Sequence, residues 1–306
     1  MAKTTRKKKI ILKNEKLTTE NIIKSPLNYI GGKFKLLQQI FPLFPQDIDL
    51  FLDLFAGGCN VGINVNAKRV WFNDNLIYLI DMYKSFHNNT LENTIDHIES
   101  RIKKFNLSKT NADGYKELRT LYNTSRNPLD LFVLIAFTFN HQIRFNNSHE
   151  FNNPFGKERS SFNANMKQNL ENFILRLKSR ETKFTNLSFK KFDFDKLSRN
   201  DFVYCDPPYL ITIGSYNDGR RGFEGWSKKE ETKLLEKLNM LNKKSVRFAL
   251  SNVLEHKGKS NDILKEWLKK NTKYLVHHLD HNYSNSNYHT KNKDMNSSKE
   301  VLITNF

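Results

Sequence analysis

Leu50-Phe51-Leu52-Asp53-Leu54-Phe55-Ala56-Gly57-Gly58-Cys59-Asn60-Val61-Gly62 decides how this chain folds. Its first five residues are a short, nearly continuous apolar run, the pattern of a parallel strand buried on both faces. The glycines that follow permit a tight turn and close approach of backbone to a ligand. The segment is not the GxGxxG dinucleotide fingerprint, and no Gly-Lys-Ser/Thr follows to make a phosphate-binding loop. About twenty residues on, Val70-Trp71-Phe72 reads as the next strand and delivers Asn73-Asp74 at its carboxyl end. In open α/β sheets ligands sit outside the carboxyl ends of strands, and an acid at the second strand takes ribose hydroxyls. Alone, Asp74 is more simply the N-cap of a helix over 76–83. Beside the glycine turn, ribose binding becomes the stronger reading.

A second stretch carries the chemistry. Phe202-Val203-Tyr204-Cys205 is another apolar run, and Asp206-Pro207-Pro208-Tyr209 stands directly behind it. Proline fixes φ near −65° and contributes no N–H, so this turn offers carbonyl oxygens and a carboxylate, with an aromatic ring held above them. Such a corner suits a flat ring gripped by its face and an exocyclic amine whose hydrogens need acceptors. The plain alternative is a strand running into an ordinary Pro-Pro turn with Tyr209 packed as core. Cys205, at the end of an apolar strand, reads as a small buried hydrophobe and not as a nucleophile.

Ahead of both lies Ser25-Pro26-Leu27-Asn28-Tyr29-Ile30-Gly31-Gly32-Lys33, a glycine loop leading into a helix over 34–40, with Lys33 able to reach a carboxylate or phosphate. The ordered set (25–33, then 53–58, then Asp74, then 206–209) resembles the Dam-type, α-class DNA adenine-N6 methyltransferases. Arg144-Phe145-Asn146, Phe151-Asn152-Asn153-Pro154-Phe155-Gly156, the approach 191–209 and the closing Glu300-Val301-Leu302-Ile303-Thr304-Asn305 are similar to stretches of that family as well. The resemblance runs from about Ser25 to the C-terminus. One departure stands out: relatives often carry Phe-x-Gly-x-Gly, where this chain has Phe55-Ala56-Gly57-Gly58-Cys59.

The 306 residues suffice for a catalytic core and one inserted domain. A formal charge of +18 and a pI near 9.7 suit a polyanionic partner, because cations that neutralise phosphates release counterions. No apolar run approaches the roughly 18 residues of a membrane span, and residues 3–9 (KTTRKKK) lack the apolar stretch of a secretory signal. That cluster reads as a flexible basic arm over 1–24. Two cysteines in separate motifs make neither a disulfide framework nor a zinc site, so a reducing cytoplasm is expected and no metal.

Elsewhere the pattern gives helices over 60–67, 95–105, 115–122, 129–140, 163–178, 227–241 and 261–270. Strands are expected over 49–54, 69–72, 186–189, 202–205, 246–250, 274–279 and 301–305. Residues 129–139 are apolar on nearly all sides, the signature of a buried helix. Residues 141–162 form a long polar loop, a feature that is usually functional. Alternating strands and helices imply an α/β doubly wound sheet. The resemblance implies a Rossmann-like methyltransferase sheet over 25–84 and 186–306 with a mainly helical target-recognition domain inserted at 85–185.

The resemblance also implies a reaction: methyl transfer from S-adenosylmethionine to adenine N6 in double-stranded DNA, with the base flipped out of the duplex. Asp206 and the Pro207 carbonyl are expected to accept the amine hydrogens, with Pro208 and Tyr209 completing the catalytic corner. Asp206→Ala is expected to abolish transfer and leave folding intact. For the cofactor, Tyr29, Gly31, Gly32 and Lys33 are expected to flank the methionine part. Asp53, Phe55, Ala56, Gly57, Gly58 and Asp206 would line it, Asp74 would take the ribose, and Asp193-Phe194 the purine. For DNA, the candidates are Arg144, Asn146, Asn152, Lys157 and Arg159, with Tyr216, Asn217, Arg220 and Arg221 as a closing loop hinged on Gly214, Gly219, Gly222 and Gly225. The 284–288 stretch is a further candidate for the same closing role. A monomer is expected, and any cognate restriction endonuclease would be a separate chain. An RNA or protein amino-methyltransferase, and a catalytically silent DNA-binding module of the same fold, remain open as alternatives. The target sequence is not legible.

Overall fold

A computed structural model describes residues 22–212, 226–280 and 298–306. The basic arm up to residue 21, the loop with Tyr216, Asn217, Arg220, Arg221 and its four glycines, and the 284–288 stretch lie outside the described residues. One sheet organises the rest. Its strands are β1 (Leu50–Asp53), β2 (Arg69–Asn73), β3 (Glu181–Thr185), β4 (Phe202–Cys205), β5 (Arg247–His256), β6 (Lys259–Ser260), β7 (Leu275–Leu279) and β8 (Ser298–Thr304). They lie in the order β3-β2-β1-β4-β5-β8-β7, with the short β6 paired to β5. The first five are mutually parallel where they pair, and β8 runs antiparallel between β5 and β7. The chain winds outward through β1, β2 and β3, then restarts beside β1 with β4. That reversal of direction between β1 and β4 opens a crevice at the carboxyl ends of the strands.

Both faces of the sheet are covered, which explains the continuous apolar runs. Phe51, Val70, Phe72, Phe202 and Tyr204 enter one core; Leu52, Leu54, Val203, Cys205 and Phe248 enter the other. The first face is packed by α1 (Leu37–Ile40), α2 (Ile77–Asn88), α3 (Leu91–Lys104), α4 (Ala112–Ser125), α5 (Pro128–Phe137) and α6 (Ala164–Lys178). The second is packed by α7 (Lys228–Lys243) and α8 (Asp262–Lys270). Helix α5 is buried from Leu129 to Phe137. It starts where Asn127 accepts from the backbone of Leu129 and Asp130 and Pro128 occupies the first turn. It stops at Phe137 because Thr138 turns extended and Asn140 and His141 adopt left-handed backbone.

Three elements depart from the sequence reading. No helix spans 60–67: that stretch is a run of turns. The Gly62 N–H is taken by Asp53 Oδ2 at 3.2 Å, and a Cβ on Gly62 would stand 2.4 Å from Phe72 Cε1. Only a few helix-like backbone bonds form there, Ile63 N–H to the Cys59 carbonyl and Val65 N–H to the Val61 carbonyl, and the Arg180 guanidinium gathers the carbonyls of Gly62, Ile63 and Val65 at 2.5, 2.8 and 2.7 Å. Secondly, the strand expected over 186–189 is β3, five residues earlier; as an edge strand paired only to β2 it stays half exposed and reads as polar. Residues 181–185 therefore belong to the central sheet, and the helices from α2 to α6 share one hydrophobic core with it. Thirdly, β5 runs on to His256. Among the described residues no helix is long and apolar enough to cross a membrane.

Burial, with the Arg176 charge beside it, pulls the Arg180 guanidinium down to about 9. Arg180→Met would strand three carbonyls at once. Urea unfolding should show a loss of about 3 kcal/mol; a loss under about 0.5 kcal/mol, the range of ordinary surface changes, would mean that Arg180 does not hold the turn.

Candidate active site

Four neighbouring strands release their chains into one cavity of about 320 Å³. Phe55 to Gly58 arrive from β1, Asp74 from β2, Leu187 to Phe189 from β3, and Asp206 to Tyr209 from β4. The glycine loop Tyr29 to Lys33 closes another side. The glycine bend at position 57 and the carboxylate at position 206 thus face one crevice.

The turn after β1 is built around backbone that glycine favours. Gly57 has φ +46°, and a Cβ there would lie 2.9 Å from Tyr29 Cε1, so Tyr29 rests directly on the bend. Cys59 has φ +59° and is fully buried. It stands where the second glycine of Phe-x-Gly-x-Gly falls, and it keeps that glycine-like conformation while filling core volume. Asp74 fastens the bend from β2: its Oδ2 accepts from Gly57 N–H at 2.9 Å and its Oδ1 from Leu76 N–H at 2.9 Å. It caps the entry to α2 and lines the crevice at once. Burial raises its carboxyl above the ordinary range. Tyr83 donates to the Gly57 carbonyl at 2.7 Å from behind.

At the β4 end the acids are paired. Lys33 Nζ is 2.8 Å from Asp206 Oδ2, donates to the Gly31 carbonyl at 2.8 Å and lies 3.7 Å from Glu300 Oε1. Its ammonium also sits 5.0 Å from the centre of the Tyr209 ring. The Tyr209 hydroxyl is 3.1 Å from Asp206 Oδ1 and 2.8 Å from Glu300 Oε1. Burial pushes the Asp206 carboxyl up, and the Lys33 charge opposes it. Lys33, expected beside the methionine part of a cofactor, is thus the partner of Asp206. Asp53 is almost wholly buried; burial first, then the Asp206 charge, lifts its carboxyl to about 8.

An aromatic wall forms the opposite end. Phe55, Phe189 and Trp226 meet pairwise with ring centres 5.4–5.6 Å apart. Trp226 is fixed through its Nε1–H, which donates to Glu231 Oε2 at 2.7 Å. Glu231 is buried, and its Oε1 accepts from the side-chain amides of Asn252 and Asn261. Asp193 and Phe194 do not reach the crevice. Asp193 caps a short 3-10 turn by accepting from Asp195 N–H, and Phe194 is buried against Phe192. Leu187, Ser188 and Phe189 stand at the crevice instead. Trp226 and Glu300 were not among the expected residues. A tryptophan directly before the N-cap Ser227 and an acid heading the apolar run Val301-Leu302-Ile303 were the available signals.

The polar loop is closed on itself. Arg144 Nε donates to Asn152 Oδ1 at 2.9 Å, and its Nη2 to the Asn152 carbonyl at 2.7 Å. Phe145 bridges Phe151, and Asn146 pairs with Glu150 through side chain and backbone. Arg144 and Phe145 also line the crevice, which joins this loop to the site. Lys157 and Arg159 are exposed, with Arg159 over the ring of the exposed Phe139.

A mostly parallel sheet with a reversed strand next to its last, and ligand-lining turns at the carboxyl ends, is the Rossmann-like fold of methyltransferases. Residues 29–285 match the D12 class N6 adenine-specific DNA methyltransferases, and the chain belongs to that family. It is 53% identical over 289 residues to the modification methylase StsI of Streptococcus sanguinis. It is 52% identical over 288 residues to the type II methyltransferase M.FokI of Planomicrobium okeanokoites. Each match covers 94% of this chain and 44% of the relative, so the chain spans less than half the length of either. A DNA adenine methylase of Haemophilus influenzae is 29% identical over 189 residues, 60% of this chain and 63% of that protein.

Proposed function

We propose that this chain methylates N6 of adenine at a specific sequence in double-stranded DNA, with S-adenosylmethionine as donor and the target base turned out of the helix. The single observation that carries the reading is the shared crevice of Asp206–Tyr209 and the Phe55–Gly58 bend. The names of the two long relatives, a modification methylase and a type II methyltransferase, support a modification role.

The crevice suits the donor on its own terms. Its volume of about 320 Å³ falls in the range of small-molecule sites; it offers an aromatic wall to a purine, Asp74 to ribose hydroxyls, and acids to a cation. When bound, the donor supplies an electrophilic methyl group on a sulfonium. Adenine N6 is a poor nucleophile because its lone pair is delocalised into the ring. Asp206 Oδ1 and the Pro207 carbonyl accept the two amine hydrogens and direct that lone pair outward, while Tyr209 stacks on the base. Lys33 counters the desolvation of Asp206 and favours its acceptor form. Positioning and fixed dipoles supply the acceleration, with no covalent enzyme intermediate.

On the DNA side, Arg144 and Asn152 brace one another at the rim, with Asn146 beside them. Arg and Asn are the side chains that read guanine and adenine edges. Exposed Lys157 and Arg159 suit phosphates.

Tritiated-methyl transfer onto unmethylated duplex, but not onto duplex already methylated at adenine, is the expected result. Transfer to RNA or protein, or none to any substrate, would overturn the reading. Donor binding should also quench Trp226 fluorescence, and a Trp226→Phe variant should bind the donor about tenfold more weakly, the scale of one lost stacking contact. Unchanged calorimetric affinity in that variant would remove the purine from the aromatic wall.

A further inference from the structure

Glu300 sits on β8 opposite Val253 and Leu279, and only 3% of it is exposed. Its neighbours Val301, Leu302 and Ile303 are wholly buried. Burying a carboxylate is costly unless hydrogen bonds and charges compensate; Lys33 Nζ lies 3.7 Å from Glu300 Oε1, and the Tyr209 hydroxyl bonds the same oxygen at 2.8 Å. That phenol has one hydrogen to donate. Two carboxylate oxygens compete for it: Glu300 Oε1 at 2.8 Å and Asp206 Oδ1 at 3.1 Å. Asp206 Oδ2 already pairs with Lys33. Asp206 Oδ1 is therefore the oxygen on which the substrate amine and the tyrosine would collide.

We propose that Glu300 is a positioning residue for methyl transfer: by taking the Tyr209 hydroxyl hydrogen it fixes that ring and keeps Asp206 Oδ1 as an acceptor for the adenine amine. The proposal rests on the amine-methylation reading above. The shorter contact favours Glu300 as acceptor. Burial and the flanking acids hold the Tyr209 phenol far above its ordinary range, so it keeps the hydrogen in question. Without Glu300 the hydroxyl turns to Asp206, and a carboxylate oxygen that already accepts a hydrogen bond attracts the amine less.

The test uses Glu300→Leu, which removes the acceptor, and Glu300→Gln, which keeps an acceptor but not the charge. Glu300→Leu should lower kcat about tenfold while donor affinity stays within about twofold, the signature of a lost transition-state interaction. In a Tyr209→Phe background there is no hydrogen to misdirect, and the same substitution should cost less than about twofold further. An unchanged kcat, or an equal penalty in both backgrounds, would overturn the proposal. NMR of protein labelled at the tyrosine ring carbon that bears oxygen gives a readout independent of activity, with Tyr209→Phe identifying the resonance. Glu300→Gln should shift the Tyr209 signal, because a carboxylate acceptor becomes a neutral one. An unmoved signal places the hydrogen on Asp206 and ends the idea, even if Glu300→Leu does not fold. Failure of wild-type protein to methylate adenine would instead strike the parent reading, and the tyrosine resonance would still decide where the hydrogen lies.

Discussion

Asp206→Asn is expected to cut methyl transfer by about 10²–10³-fold, the range for removing one pre-aimed polar group from a reaction centre, with the fold intact. An amide in place of the carboxylate offers the amine a weaker, neutral acceptor and presents hydrogens of its own to the site. Asp206→Ala should be equally inactive but also less stable. Lys33 is 4% exposed and 2.8 Å from Asp206, whose side chain is 18% exposed. Deleting the acid leaves a buried ammonium with the Gly31 carbonyl and a more distant Glu300. Breaking a buried ion pair from one side costs about 3–5 kcal/mol, and the remaining partners reduce that here to about 2 kcal/mol. From the sequence alone, alanine is expected to leave folding untouched; the Lys33 contact argues for a loss instead. Single-turnover transfer with saturating donor, beside urea unfolding of both variants, checks the pair of claims. An asparagine variant with more than about a tenth of wild-type turnover would remove Asp206 from the centre of the reaction.

How far the sequence could be read follows from what each element shows to its neighbours. Strands β1 and β4 are buried on both faces, so their apolar runs were unmistakable, and the turns behind them carried Gly57 and Asp206 in plain view. The edge strand β3 has a half-exposed, charged pattern, and the adjacent apolar stretch drew the reading past it. Arg180 hid the fate of residues 60–67, because a side chain 115–118 positions away satisfies their carbonyls. Glu300 belonged to a strand whose apolar residues were recognised, yet its partner followed only from β8 being threaded backwards between β5 and β7. The family resemblance implied a purine contact for Asp193-Phe194, and Phe194 packs with Phe192 in the core instead. What escaped was, in each case, a contact fixed by register or by a distant chain segment.

Between about pH 4 and pH 8 the buried acids of the crevice should contribute less stability as pH rises, against the usual trend for acidic residues. Asp53 has an ordinary value of 3.8 when unfolded and about 8 when folded, raised by burial first and by the Asp206 charge second, with the Gly62 N–H opposing. Its folded value lies above its unfolded one, so the folded state holds the extra proton. That contribution is fully present below the unfolded value, falls as pH climbs, and is gone above about 8. Asp206 and Asp74 are shifted in the same direction and add to the slope. Asp53→Asn keeps an oxygen for Gly62 and removes the titration, so it should flatten the curve and gain on the order of 3 kcal/mol over wild type at pH 8. Urea unfolding at intervals from pH 5 to 8 reads this directly; parallel curves for the two proteins would refute it. A cation brought into the crevice favours the ionised acids, so S-adenosylmethionine should release protons on binding at pH 7, and S-adenosylhomocysteine, whose sulfur is neutral, should release fewer. Calorimetry in buffers of different ionisation enthalpy counts those protons. Equal counts for the two ligands, or a count that Asp53→Asn leaves untouched, would show that the acid beneath the glycine bend does not sense the charge of the methyl donor.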